Sequence, residues 1–190
     1  MHDTIIEPWT REAPIIGGTS PTLRALNLRF LDLDGVAAPA IVALPPARKA
    51  AIADCPYALF DLRFGDDPHW RSRLDIAVPD RVAEPGVSNP AVVGFVRLAL
   101  IYAWHLATSA NLQARLSLGM DLRTAAVFAD ATLDRLTRIA VVEAPDLAPR
   151  WPRCTAFWDG LAEAAASADR TRLRWFHGCW LLLASGKQLH

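Results

Sequence analysis

Residues 114–140, "ARLSLGMDLRTAAVFADATLDRLTRIA", decide how this chain is read. A helical run breaks at Leu118-Gly119, and two further helical pieces follow, divided near Thr132. Glycine just past a helical stretch is the usual helix stop, because it enters the left-handed conformation without a Cβ clash. The outline is helix, tight turn, helix, which is also that of a DNA-reading hairpin. Such a hairpin needs a small buried residue four places before its turn glycine, where the helices cross closely. Here Arg115 occupies that place, and the small residue Ala114 is one position out of register. The following helix should also offer polar and cationic side chains to bases and phosphates. Residues 121–130 read "DLRTAAVFAD" instead, with one arginine, two aspartates and an apolar centre. Recognition of DNA by this helix alone is therefore not expected.

Outward from this stretch the chain reads as helix throughout. Ser20-Pro21 offers a capping hydroxyl and then proline at the first helical position. Leu23, Leu26, Phe30 and Leu33 fall on one face, and Gly35 ends that helix. Pro45-Pro46 start a second helix running to about Asp54, and Asp67-Pro68 open a short one carrying Trp70 and Leu74. Asn89-Pro90 cap a long apolar helix to about Thr108. A proline-rich connector, "EAPDLAPRWPRC" (residues 143–154), leads to two last helices, at about 155–168 and 169–185. One segment is ambiguous. "CPYALFDLRF", Cys55 to Phe64, alternates in part like a strand, but Pro56 can also open a helix there. Helix is preferred, because no partner strand is visible. The expectation is an all-α, single-domain helical bundle of about seven or more helices. Residues 1–20 form a flexible tail, 21–76 an N-terminal helical part, 77–89 a linker and 90–186 a C-terminal helical part.

Composition narrows function mainly by exclusion. Apolar residues make up 52% of the 190, enough for a sizeable core. Lysine plus arginine and aspartate plus glutamate number 20 each, so the formal net charge is zero. A stand-alone nucleic-acid binder normally carries a cationic excess. Cys55, Cys154 and Cys179 are odd in number and far apart, which fits a reducing cytoplasm better than a disulfide framework. The N-terminal stretch lacks a cationic start followed by an apolar run, so no signal peptide is expected. Arg97 and His105 interrupt the most apolar run, so a buried core helix is expected there rather than a membrane span.

No close ligand pair such as CxxC is present, and His177 and Cys179 sit two apart on different helix faces, so neither a metal nor a cofactor is expected. No catalytic residue is assigned either. Ser109 and Ser117 lie in no nucleophile motif, and Gly17-Gly18 is not a phosphate loop. A candidate pocket surrounds Tyr102, Trp104 and His105, but no acid near His105 in sequence completes a catalytic pair. The chain contains seven tryptophans, of which Trp175 and Trp180 flank Phe176 on the last helix. Together with Ile5-Ile6 and Ile15-Ile16 in the tail, they provide more apolar surface than one small core hides, so a homo-oligomer is expected.

The hairpin resembles the helical signature of FlhD, a subunit of the bacterial flagellar master transcription regulator. The shared features are Ala114, Leu116, Leu118, Gly119, Met120, Thr132-Leu133, Leu136, Ile139 and Ala140, preceded at matching spacing by Leu100, Ala103 and Leu106. The likeness covers about residues 97–140. It implies an all-helical, dimer-forming transcription regulator that acts with a second regulatory subunit, and the zero net charge adds the expectation that DNA is met only in a partner's company. Candidate partner or DNA contacts are Arg123, Arg135 and Arg138 in the hairpin, and Arg150 and Arg153 flanking Trp151 in the connector. The alternative is a small helical enzyme or ligand-binding domain with a pocket near His105.

Overall fold

The computed structural model describes residues 19–36, 38–75, 89–167 and 169–186. The tail at 1–20 lies outside the described residues apart from Thr19 and Ser20, and the linker at 77–89 apart from Asn89. The expected all-α fold is what the chain adopts. Its helices are α1 (Pro21–Leu31), α2 (Pro39–Val42), α3 (Pro46–Ala53), α4 (Asp67–Asp75), α5 (Pro90–Ser109), α6 (Asn111–Gln113), α7 (Leu122–Asp130), α8 (Leu133–Glu143), α9 (Thr155–Ala166) and α10 (Arg170–Gly186).

Local chemistry sets the boundaries. Ser20 Oγ accepts the Leu23 N–H, and Asn89 Oδ1 accepts that of Ala91, each ahead of a proline at the start of its helix. Helix α5 is the axis of the fold and packs mainly against α7 and α8, with α1 on another side. It is long and apolar enough to cross a membrane, yet Phe95, Val96, Ala99, Leu100, Tyr102 and Ala103 are buried within the protein. Helices α9 and α10 pack on each other, and α9 closes against α2 and α3. One continuous cluster of buried side chains runs from Leu23 in α1 to Leu173 in α10. Phe30, Phe60 and Phe95 join its parts, with ring centroids 5.0 to 5.9 Å apart.

The segment Cys55 to Phe64 corrects the helical expectation. It is not helical: bends lead into and out of a short extended piece, where Phe60–Asp61 (β1) pairs antiparallel with Ala148–Pro149 (β2), Phe60 opposite Pro149 and Asp61 opposite Ala148. The partner strand was hidden within the proline-rich connector, where proline argues against a strand except at an edge. Three further backbone groups of the segment bond to groups far away in sequence. Ala58 N–H donates to Ser117 O at 2.7 Å, Arg150 N–H to Leu59 O at 2.8 Å, and Leu59 N–H to Asn27 Oδ1 at 2.9 Å. With those groups satisfied, Tyr57, Ala58, Leu59, Phe60, Leu62 and Phe64 can all be buried. Two non-glycine residues in the left-handed region, Arg63 (φ 57°) and Trp151 (φ 55°), lie just beyond the paired strands.

Candidate functional site

The hairpin is built as its sequence requires, with one addition. After α6 the chain makes a π-helical turn, Ala114–Leu118, and stops at Gly119 (φ 72°, ψ 22°), whose N–H faces the carbonyls of Ala114 and Arg115. Asp121 then caps α7 by accepting the Thr124 N–H at 2.7 Å, and Thr132 caps α8 by accepting that of Arg135 at 3.3 Å. A π turn holds one more residue than an α turn. That extra residue absorbs the register offset: Ala114 is fully buried and Arg115 only partly so.

The candidate arginines take separate places. Arg123 is exposed at the start of α7 and lines a cleft of about 670 Å³. That cleft brings Arg115 and Arg123 together with Asp66, Asp67 and Asp121, so carboxylates outnumber guanidinium groups there. Arg135 is half-buried on α8. Arg138 is ion-paired with Asp134 one turn earlier, and Arg153 is exposed in the connector. Arg150 must be withdrawn as a surface contact. It is buried, its Nη1 donates to Ser117 O at 2.6 Å, and its guanidinium lies 4.7 Å from the centre of the Trp151 ring. Burial lowers its pKa, against a raising influence from Asp61. Its work is to tie the end of β2 to the π turn.

The residues proposed around His105 also have defined positions. Tyr102 is buried, and Trp104 Nε1 donates to Ala131 O at 3.0 Å. His105 is half-buried, and its carbonyl accepts the hydroxyls of Thr108 and Ser109. A second cleft, of about 420 Å³, lies by Gly35, Pro39, Pro152 and Trp158, and none of the three residues lines either cleft.

Two polar clusters escaped the sequence reading. The first sits under the extended segment. Asn27, fully buried on α1, donates through Nδ2 to Tyr57 O at 2.9 Å and Ala53 O at 3.3 Å, and lies 3.2 Å from Cys55 Sγ. Tyr57 Oη meets His177 Nδ1 of α10 at 3.1 Å. Burial pushes the Cys55 thiol up to about 12 and His177 down to about 4, and it also raises Tyr57. A thiol so disposed is an inert core group rather than a nucleophile.

The second cluster gathers around Glu143, the last residue of α8. Its side chain is fully buried, Oε2 is 2.8 Å from His69 Nε2, and Oε1 is 2.9 Å from Arg73 Nε. Asp146, in the 3₁₀ turn that follows α8, joins them. The sequence carried a signal for this site: Leu136, Ile139, Ala140 and Glu143 fall on the buried stripe of α8. A carboxylate at such a position demands partners, and His69 and Arg73, one turn apart on α4, supply them.

No family model, curated protein or solved structure matches the chain.

Proposed function

We propose that this is a helical regulatory or adaptor protein, a relative of FlhD-type transcription regulators, working through protein–protein contacts in the bacterial cytoplasm. In this reading it self-associates, joins a second regulatory subunit, and meets DNA only through that partnership. One observation carries it: the hairpin and the short helix before it expose four leucines, beside few unpaired cations. Leu112 and Leu122 are 65% and 57% exposed, and Leu116 and Leu133 are exposed as well. Exposed leucines on a hairpin favour a protein surface as partner, whereas phosphate contact requires clustered cations. Of the candidate cations, Arg150 is buried and Arg138 is neutralised by Asp134.

The test is affinity capture of the tagged chain from its native host, run beside a Leu112→Asp/Leu116→Asp variant of unchanged circular dichroism. A transcription-regulatory subunit captured by the wild-type chain and lost with the variant supports the reading. Equal recovery with both chains, or a metabolic substrate complex in place of a regulator, overturns it.

A further inference from the structure

We propose that His69, Glu143 and Asp146 form a binding site for one divalent transition-metal cation of the zinc, cobalt or manganese class. The inference is independent of the adaptor reading. One donor atom of each residue lies within 4.8 Å of the other two. Donors sharing a tetrahedral cation lie roughly 3.4 Å apart when the bonds are about 2.1 Å. The 2.8 Å His69–Glu143 contact therefore has to open by about 0.6 Å, and Asp146 to close in. One imidazole with two carboxylates suits borderline divalent metals, with water filling the remaining positions.

The placement is that of a built site rather than a surface accident. Glu143 and Asp146 are held three residues apart by the end of α8 and the 3₁₀ turn, while His69 comes from α4. His69 is fixed by its own backbone N–H, which donates to Asp66 Oδ1 at 3.1 Å, and by edge-on contact with Trp70. Arg73 Nε stands 2.9 Å from Glu143 Oε1 without hydrogen-bond alignment, so that fully buried oxygen has unspent capacity. Arg73 thus holds one carboxylate oxygen and leaves Oε2 facing His69, the arrangement by which an outer partner orients a metal-binding carboxylate.

The test titrates the full chain, freed of metal by chelation, with Co²⁺ and with Zn²⁺ at neutral pH. Expected are visible ligand-field absorption with Co²⁺, saturating at one equivalent, and a raised melting temperature with Zn²⁺. Asp146→Asn, at the half-exposed edge of the cluster, should weaken binding by at least about tenfold while leaving the apo fold unchanged. His69→Ala should abolish the absorption. No saturable binding at millimolar metal, or binding unaffected by Asp146→Asn and His69→Ala, would overturn the proposal.

Discussion

The side chain of Asn27 organises the one part of this fold that is not helical, so its replacement tests how the fold is held. Its Oδ1 is the acceptor for Leu59 N–H, and its Nδ2 reaches Tyr57 O, Ala53 O and Cys55 Sγ. Asn27→Ala strands the Leu59 N–H in a dry core and removes a donor from the carbonyls. Each buried backbone group left without a partner costs about 1–3 kcal/mol. The Tyr57 carbonyl keeps the Cys55 thiol as a donor at 3.0 Å, so the penalty falls mainly on Leu59 N–H and Ala53 O. The sum is about 3 kcal/mol, a large part of the 5–15 kcal/mol typical of a domain. Asn27→Asp separates the acceptor role from the donor role. Its carboxylate still accepts from Leu59, but its other oxygen faces two carbonyls and serves there only when protonated. The folded-state pKa of that aspartate should therefore lie above its unfolded value of about 3.9. The folded variant then binds more protons than the unfolded chain, and its deficit relative to wild type shrinks as pH falls through the folded pKa. Urea denaturation of wild type, Asn27→Ala and Asn27→Asp at several pH values measures both effects. A loss under about 1 kcal/mol for Asn27→Ala, or a pH-independent deficit for Asn27→Asp, would refute this account of the clamp.

Four other outcomes are expected. Gly119→Val should destabilise by about 1 kcal/mol or more in the same denaturation assay, because a β-branched residue at φ 72° is strained; a change of a few tenths would mean the glycine is incidental. His177 has a folded pKa of about 4 against an unfolded value near 6.5, so its share of stability is whole above that value and is lost as pH falls from there towards 4. The loss is of the order of 3 kcal/mol, and a flatter stability–pH profile in His177→Gln checks it. Light scattering at micromolar concentration should give a mass above that of a monomer. Fluorescence anisotropy should find no sequence-selective DNA binding by the isolated protein at physiological salt; tight selective binding lost in Arg135→Ala plus Arg138→Ala would reverse that expectation.

What the sequence displayed openly was its punctuation. Ser20-Pro21, Asn89-Pro90 and Thr132 mark helix starts because capping is a local event, settled within three residues. Gly119 is legible for the same reason. The extended segment was not, because what decides it lies elsewhere in the chain. Its backbone is satisfied by Asn27, Ser117 and Arg150, and its strand partner contains a proline. Arg150 misled in the same way. A cation beside a tryptophan in a proline-rich connector reads as surface, and only the fold brings the Ser117 carbonyl over it.

The hairpin shows how a mismatch in sequence becomes a structural statement. Arg115 stands where a close helix crossing wants a small residue, one position out of register with Ala114. The chain inserts a π turn instead, which rotates Ala114 into the crossing and leaves Arg115 at the edge of the cleft beside Arg123. Helix α7 can then bury Thr124, Ala125 and Phe128 while Leu122 and Arg123 face outward. The same adjustment places Ser117, whose carbonyl accepts both Ala58 N–H and Arg150 Nη1. One extra residue in a helical turn therefore connects the hairpin, the extended segment and β2 through a single carbonyl. This explains why Ser117 is buried within a stretch otherwise read for its leucines. It also separates the two faces of the hairpin: the inner one is committed to holding the fold, and the outer leucines and Arg123 are among the residues exposed on the other.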